Sequence, residues 1–518
     1  MLSCRLSLAI VALLPAFVSA SAEEAADLYI EHCAECHGAD RLGGTGPALI
    51  PESLGRLKPE KAAATIADGR AQTQMPAFGE LLDDKEIQGL TALVFEPLPE
   101  MPTLDMAAIE ATREVVIGPE RLVAAPVHDG DLMNLFVVVE SGDHHVTILD
   151  GDRFEPITRF ASRYALHGGP KFSPDGRFVH FASRDGWITR YDLWGLETVA
   201  EIRAGINTRN IAISADGKVL AVANYLPHNL VMLDAATLEP LKVIEASDMS
   251  GETSSRISAV YQAAPRDSFV VAMKDIPELW EVSYADPPPE GYGAFVHSHE
   301  TGMVEAAAGS RFPIRRTELK EPLDDFFFDQ RYRHVIGSAR DGKRGVVVQL
   351  DVRREIAELP LPGLPHLGSG ISWDWQGKRV MATPHLKENA VSVIDMADWQ
   401  VIKTIETEGP GFFMRSHAAS PYAFVDVFFG PNKDAVHVID KQTLEIKKTL
   451  RPAPGKTAAH VEFTRDGRHA LLSIWDMDGA LVVYDAATLE EVKRLPMVKP
   501  SGKYNVWNKI SRDEGTSH

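Results

Sequence analysis

The spacing of hydrophobic positions changes character near residue 100. Before it, apolar side chains recur every three or four residues, the period of a helix with one buried face. Residues 23–33 read as one amphipathic helix and residues 85–95 as another, with Asp83 or Asp84 as N-cap. After Pro97, Pro99 and Pro102 the helical period disappears. Short runs rich in Val, Ile and Phe then alternate with Asp-Gly and similar turns, the pattern of antiparallel hairpins. The pattern predicts a small all-α domain over 23–96, a linker over 97–112 and an all-β domain over 113–518.

The all-β part repeats. Phe172-Ser173-Pro174-Asp175-Gly176-Arg177 returns as Ile213-Ser214-Ala215-Asp216-Gly217-Lys218 and as Phe463-Thr464-Arg465-Asp466-Gly467-Arg468, with a looser copy at Trp373–Trp375 and Gly377. A second signature follows each turn: Tyr191-Asp192, Leu233-Asp234, Ile394-Asp395, Ile439-Asp440 and Tyr484-Asp485. Asp175 and Asp216 stand 41 residues apart, a period that marks four-stranded propeller blades. Turns near Arg266-Asp267, Gln330-Arg331 and Ser420-Pro421 fill the gaps, and Asp129-Gly130 opens an earlier unit. The expectation is an eight-bladed β-propeller, with 286–315 as an insertion between the fourth and fifth blades.

The extreme N-terminus adds a compartment. Arg5, the apolar run 6–18 and Val18-Ser19-Ala20 make a positive start, a short apolar core and a small-residue cleavage site, so residues 1–20 read as a signal peptide for export to the periplasm. The run is too short to span a bilayer, and no second apolar run reaches 18 residues. Cys4 leaves with the signal, so Cys33 and Cys36 are the only thiols of the exported chain. A net charge of −20 disfavours nucleic acid and anionic lipid as partners.

Those two cysteines have a specific meaning. Cys33-Ala34-Glu35-Cys36-His37 is the attachment motif of a covalent c-type haem, with His37 as proximal ligand. Met75, on the loop Met75-Pro76-Ala77-Phe78-Gly79, is placed to be the second axial ligand; Met/His ligation raises the potential of an electron-transfer haem. The whole segment resembles class I cytochrome c domains.

In a propeller, residues just ahead of each inner strand converge on the mouth of the central channel. Here they are Arg163 and His167, Arg209 and Asn210, Arg256, Asp324 and Asp325, His366, Arg415, and His460; Arg184 and Lys274 reach the mouth from nearby turns. Several arginines in so acidic a chain fit a ligand with several carboxylates, which guanidinium binds bidentately. The histidines are candidate iron ligands or acid–base groups.

A cytochrome c domain followed by such a propeller is similar to the cytochrome cd1 nitrite reductase family, over the chain from the haem motif to the C-terminus. Ser183-Arg184-Asp185-Gly186, Ala223-Asn224-Tyr225-Leu226-Pro227, Pro365-His366-Leu367-Gly368-Ser369-Gly370 and Pro500-Ser501-Gly502-Lys503-Tyr504-Asn505-Val506 carry the resemblance. It implies a non-covalent haem d1-type macrocycle in the propeller, with His167 as proximal iron ligand and Arg184, Arg209, Arg256 and Lys274 as its binding residues. His366 matches one distal histidine of the reductases. The other distal position reads Asp324, which puts nitrite protonation in doubt. The departure is more similar to the branch that dehydrogenates dihydro-haem d1 in haem d1 biosynthesis, oxidising a propionate to an acrylate. That implies His366, His460 and Tyr504 around the reacting side chain, Arg415 clamping its carboxylate, and electrons passing to haem c and then to an external acceptor such as a cytochrome or cupredoxin. Nitrite reductase and other d1 maturation proteins are implied partners. A true nitrite reductase and a non-catalytic d1 carrier are the alternatives.

Overall fold

The computed structural model describes residues 22–44, 46–54, 57–69, 75–100, 102–289, 292, 295–298, 302–305, 311–339, 342, 344–361 and 363–511. The expected export signal lies outside them. The chain divides into two compact units, Met1–Pro99 and Glu100–His518.

The first unit is helical. Its described helices are α1 (Ala22–His32), α2 (Ala34–His37), α3 (Pro51–Leu54), α4 (Pro59–Asp68) and α5 (Asp84–Val94). The N-cap of α5 is Asp83, in a capping box: its carboxylate accepts from Glu86 N–H at 2.9 Å while Glu86 accepts from Asp83 N–H at 2.7 Å. Tyr29 of α1, Ala63 of α4 and Ile87, Leu90 and Val94 of α5 bury their side chains together, the face the helical period predicts.

The second unit is an eight-bladed propeller. The inner strands of blades two to eight are Lys171–Phe172, Asn207–Ile213, Ile257–Ala263, Leu323–Phe328, Ile371–Trp375, Met414–Ser416 and Ala458–Phe463. Each of these blades is an antiparallel meander from the channel outward. Strands in the middle of a blade are packed on both faces and read as continuous apolar runs; Ser268–Met273 is buried at every position. Outer strands such as Arg354–Leu359 alternate with solvent.

The two repeated signatures are turn chemistry. In the first, Asp175 accepts from Ser173 Oγ at 2.5 Å and from Arg177 N–H at 3.1 Å, and Gly176 takes φ 76°, where a side chain is strained. In the second, Asp234 accepts from Ala236 and Thr237 N–H at 2.9 and 2.8 Å, closing the turn into the outer strand; Asp440 and Asp485 do the same for their own turns.

Three expectations are corrected. The first blade does not take its inner strand from the Asp129-Gly130 region: Pro500–Asn505 pairs with Phe136–Glu140, so the two ends of the propeller close the ring in one sheet. The insertion lies inside the fourth blade, between Glu278–Ser283 and Ile314–Glu318, because Glu281 pairs in register with Arg315 and holds it by a buried ion pair. The span 97–112 is not all linker. Helix α6 (Met106–Glu110) buries Ile109 completely against the second and third blades, and Glu114–Val115 adds an outer strand to the second.

Candidate functional site

In the helical unit, Cys33 and Cys36 flank one turn of helix without a disulfide between them, and His37 is buried beside them. Burial pushes the Cys33 thiol up to about 11. His37 Nδ1 lies 2.8 Å from Pro47 O. A carbonyl can only accept, so Nδ1 carries the proton and Nε2 keeps its lone pair for a metal. A Cβ on Gly46 would stand 2.7 Å from the imidazole, so only glycine lets this loop pack on the ring. The Met75 loop is fixed in the same way: a Cβ on Gly69 would meet Pro76 and Ala77 backbone at 2.6 Å. Thiols, imidazole tautomer and close glycine all fit a covalent haem.

At the propeller mouth, contacts run around the channel through every blade. His167 Nδ1 lies 2.8 Å from Arg209 O, fixing the tautomer in which Nε2 carries the lone pair, and Arg184 Nη2 donates to that Nε2 at 2.9 Å. The turn after His167 requires its glycines. Gly168 has φ 81°, and a Cβ on it would be 2.6 Å from Asn210 Cβ; a Cβ on Gly169 would be 3.2 Å from the Tyr504 ring. Tyr504 meets His460 edge-on, ring centroids 5.3 Å apart, and His460 meets Phe413 at 4.9 Å. Phe412 packs on His366 at 4.3 Å, and its carbonyl accepts from His366 Nδ1 at 2.5 Å. Beyond His366, Gly368 gives room to Asp325, whose carboxylate a Cβ there would meet at 2.4 Å. Asp325 accepts from Tyr261 Oη at 2.9 Å and from Arg209 at 3.5 Å, which completes the circle.

Tyr225 is the hub of the basic residues. Arg184, Arg256 and Lys274 stand 5.7, 5.8 and 5.4 Å from its ring centroid. Arg256 is held bidentately by Asp275, and Lys274 Nζ donates to Asp324 at 2.7 Å. Burial lowers the pKa of His366 and, with Lys503, Lys509 and Arg415 nearby, lowers that of His460 well below the ordinary histidine value, so both imidazoles are neutral. Burial raises the Tyr504 phenol.

The mouth fits a flat polycarboxylate macrocycle. Guanidinium and ammonium groups gather on one side, and His167 presents a metal-binding lone pair that a guanidinium occupies as a cation would. A model of the Cytochrome D1 heme domain matches residues 130–291 and 293–509. The chain belongs to the cytochrome D1 heme domain family. A model described as Cytochrome C oxidase, cbb3-type, subunit III matches residues 20–94. Dihydro-heme d1 dehydrogenase of Pseudomonas aeruginosa is 55% identical over 99% of both chains. Nitrite reductase of Stutzerimonas stutzeri is 25% identical over 96% of this chain and 94% of its own. The solved structure of dihydro-heme d1 dehydrogenase NirN in complex with DHE has a TM-score of 0.88, covering 94% of this chain and all of that one at 55% identity. As a member of the cytochrome D1 heme domain family with a cytochrome c unit, the chain takes a covalent haem c and a d1-type haem.

Most sequence-predicted residues meet at this mouth: His167, Arg184, Arg209, Arg256, Lys274, His366, His460 and Tyr504. Two do not face it as expected. Arg415 is 3% exposed, with its guanidinium closed on Glu462 at 2.7 Å, so it stands beside His460 and Tyr504 as one half of a buried ion pair. Arg163 pairs with Glu201 and stacks 3.8 Å over Trp187. Sequence reasoning missed Phe412 and Phe413, which stand directly ahead of an inner strand, and missed Tyr225, Tyr261, Asp426, Glu462 and Lys503, whose roles depend on partners in other blades.

Proposed function

We propose that this chain dehydrogenates dihydro-haem d1 to haem d1, converting one propionate side chain to an acrylate in the last stage of haem d1 biosynthesis. The reaction removes two protons and two electrons from –CH2–CH2–COO⁻ and leaves –CH=CH–COO⁻. His167 holds the substrate iron through Nε2. The cations around Tyr225 bind its other carboxylates. His460, neutral and beside Tyr504, accepts one proton from the saturated side chain, the second proton is released to water as the second electron leaves, and His366 lines the same space. The haem c, on Cys33, Cys36, His37 and Met75, supplies a one-electron sink, emptied by an external cytochrome or cupredoxin.

The observation that carries this reading is the pair His460–Tyr504 at the mouth, combined with an Asp324–Lys274 ion pair at the position where the resemblance implies a nitrite-handling histidine. Among the described residues no helix is long and apolar enough to cross a membrane, and the N-terminal pattern supports export to the periplasm, where the product would pass to nitrite reductase or a maturation protein. The test is to mix the oxidised protein with dihydro-haem d1. The macrocycle spectrum should change while haem c becomes reduced. Binding without reduction makes the protein a carrier, and nitric oxide from nitrite with a reduced donor makes it a reductase.

A further inference from the structure

His460 sits where its blade breaks register. Ala459 pairs with Ser473 and Val461 with Leu472, so His460 is the extra residue of a β-bulge, at φ 53°. Bulges re-aim side chains, and a non-glycine residue in the left-handed region is strained and persists only where its surroundings enforce it.

Two buried charged groups enforce it from opposite sides. The His460 N–H donates to Asp426 Oδ2 at 3.3 Å. Its carbonyl accepts from Lys503 Nζ, which also donates to Ser473 Oγ at 2.8 Å. Lys503 is fully buried, and among the described residues no carboxylate lies within ion-pair distance of it. Asp426 is 1% exposed and collects three backbone N–H groups, with Phe412 at 2.8 Å and Phe413 at 3.0 Å besides His460. An ammonium and a carboxylate are both costly to bury without a direct ion pair. Ring closure alone does not require them, since apolar side chains pack a propeller core more cheaply.

We infer that Lys503 and Asp426 are positioning residues of the desaturation site: they grip the main chain of the His460 bulge from both sides, aim its imidazole into the mouth, and tie it to the Phe412–Phe413 wall. This rests on the desaturation reading above. The charged groups acting on His460 are Lys503 on the closing strand, Lys509 on the C-terminal helix and Arg415 on the seventh blade; Asp426 accepts from its main-chain N–H, and Glu462 and Asp426 are the acids acting on Lys503. Lys503 therefore has a second effect: its field opposes protonation of the imidazole. The burial pushes Asp426 up to about 6 and the Lys503 ammonium well below its usual value, as expected of groups held in place by the fold at a cost.

The experiment uses full-length holoprotein and the variants Lys503→Met, Lys503→Arg, Asp426→Asn and Ser473→Ala. Dihydro-haem d1 binding should be kept within about twofold while kcat for desaturation falls on the order of 10²-fold in Lys503→Met and Asp426→Asn, with partial recovery in Lys503→Arg. Before any substrate is added, the His460 imidazole, followed by histidine-selective ¹⁵N spectra and assigned with His460→Gln, should titrate at higher pH in Lys503→Met than in wild type. Ser473→Ala, which removes one hydrogen bond and no charge, guards against a misfolded Lys503→Met and should lower kcat with binding intact. Wild-type kcat and an unmoved His460 titration in these variants overturn the inference, as does loss of binding, stability and turnover in parallel. A wild-type protein that binds dihydro-haem d1 but never desaturates it overturns the parent reading instead; the titration shift then still decides whether Lys503 acts on His460.

Discussion

Arg184 Nη2 donates a hydrogen bond to His167 Nε2 at 2.9 Å, using the same lone pair that a d1 iron requires. The guanidinium must turn aside when His167 binds iron, and the Tyr225 ring 5.7 Å away gives it a place among the other cations. There it can meet a substrate carboxylate. Arg184→Ala should weaken macrocycle binding about 10- to 100-fold, the worth of one charged hydrogen bond, with the iron still on His167. His167→Ala should abolish the axially ligated d1 spectrum and leave the haem c spectrum untouched. Optical titration of both variants checks the pair.

Replacing Arg415 should act on the fold before it acts on chemistry. Its partner Glu462 is fully buried and also accepts from Asn508 Nδ2 at 3.1 Å. Removing one half of a buried pair costs about 3–5 kcal/mol. Arg415→Met should lower Tm markedly and reduce turnover in proportion to the folded fraction, without a selective rise in KM. A clamp on the substrate carboxylate would instead raise KM at unchanged Tm.

The pH profile of desaturation should keep its acid limb low. The His460 pKa lies well below 6.5, first through burial and then through Lys503, Lys509 and Arg415. Protonation therefore silences the base only when pH falls through that depressed value, and kcat/KM of wild type should be retained down past pH 6. His460→Ala should lose about 10²- to 10⁴-fold in kcat above the acid limb while binding persists.

Nitrite should be a poor substrate. Lys274 holds Asp324 at 2.7 Å, so the position that would deliver a proton to nitrite is an ion pair. With a reduced electron donor and the d1 haem loaded, nitric oxide formation should stay near background.

Met75→His should lower the haem c potential, because a second imidazole favours ferric iron more than a thioether does. A redox titration of the cytochrome signal measures the shift, and slower reduction of haem c during desaturation should accompany it.

Much of this molecule is legible in its sequence because the repeat is local. The Ser173-Asp175-Gly176 turn and the Asp234 turn are built from neighbours in the chain, so the number of units follows from pattern, though not the strand that opens the first of them. The mouth is legible for the same reason: the residue before each inner strand points to the channel. What pattern does not carry is partnership across blades. Arg415 reads as a site arginine until Glu462, 47 residues on, takes its guanidinium. Lys503 stands in a motif of the C-terminal tail and gives no sign of its role until the fold places it under His460. The fourth blade reads as closed at residue 283 because its last strand waits beyond a long insertion. Phe412 and Phe413 were in the right place, but their apolar side chains gave no chemical signal.

The first blade is completed by Pro500–Asn505, and that strand carries both Lys503 and Tyr504. During synthesis, strands 136–161 wait for more than three hundred residues before their inner partner emerges. Shape and chemistry are therefore acquired in one final event. The segment that closes the ring is thus also the one that brings Lys503 and Tyr504 to His460, so the seam of the propeller and the surroundings of that histidine are completed by the same strand.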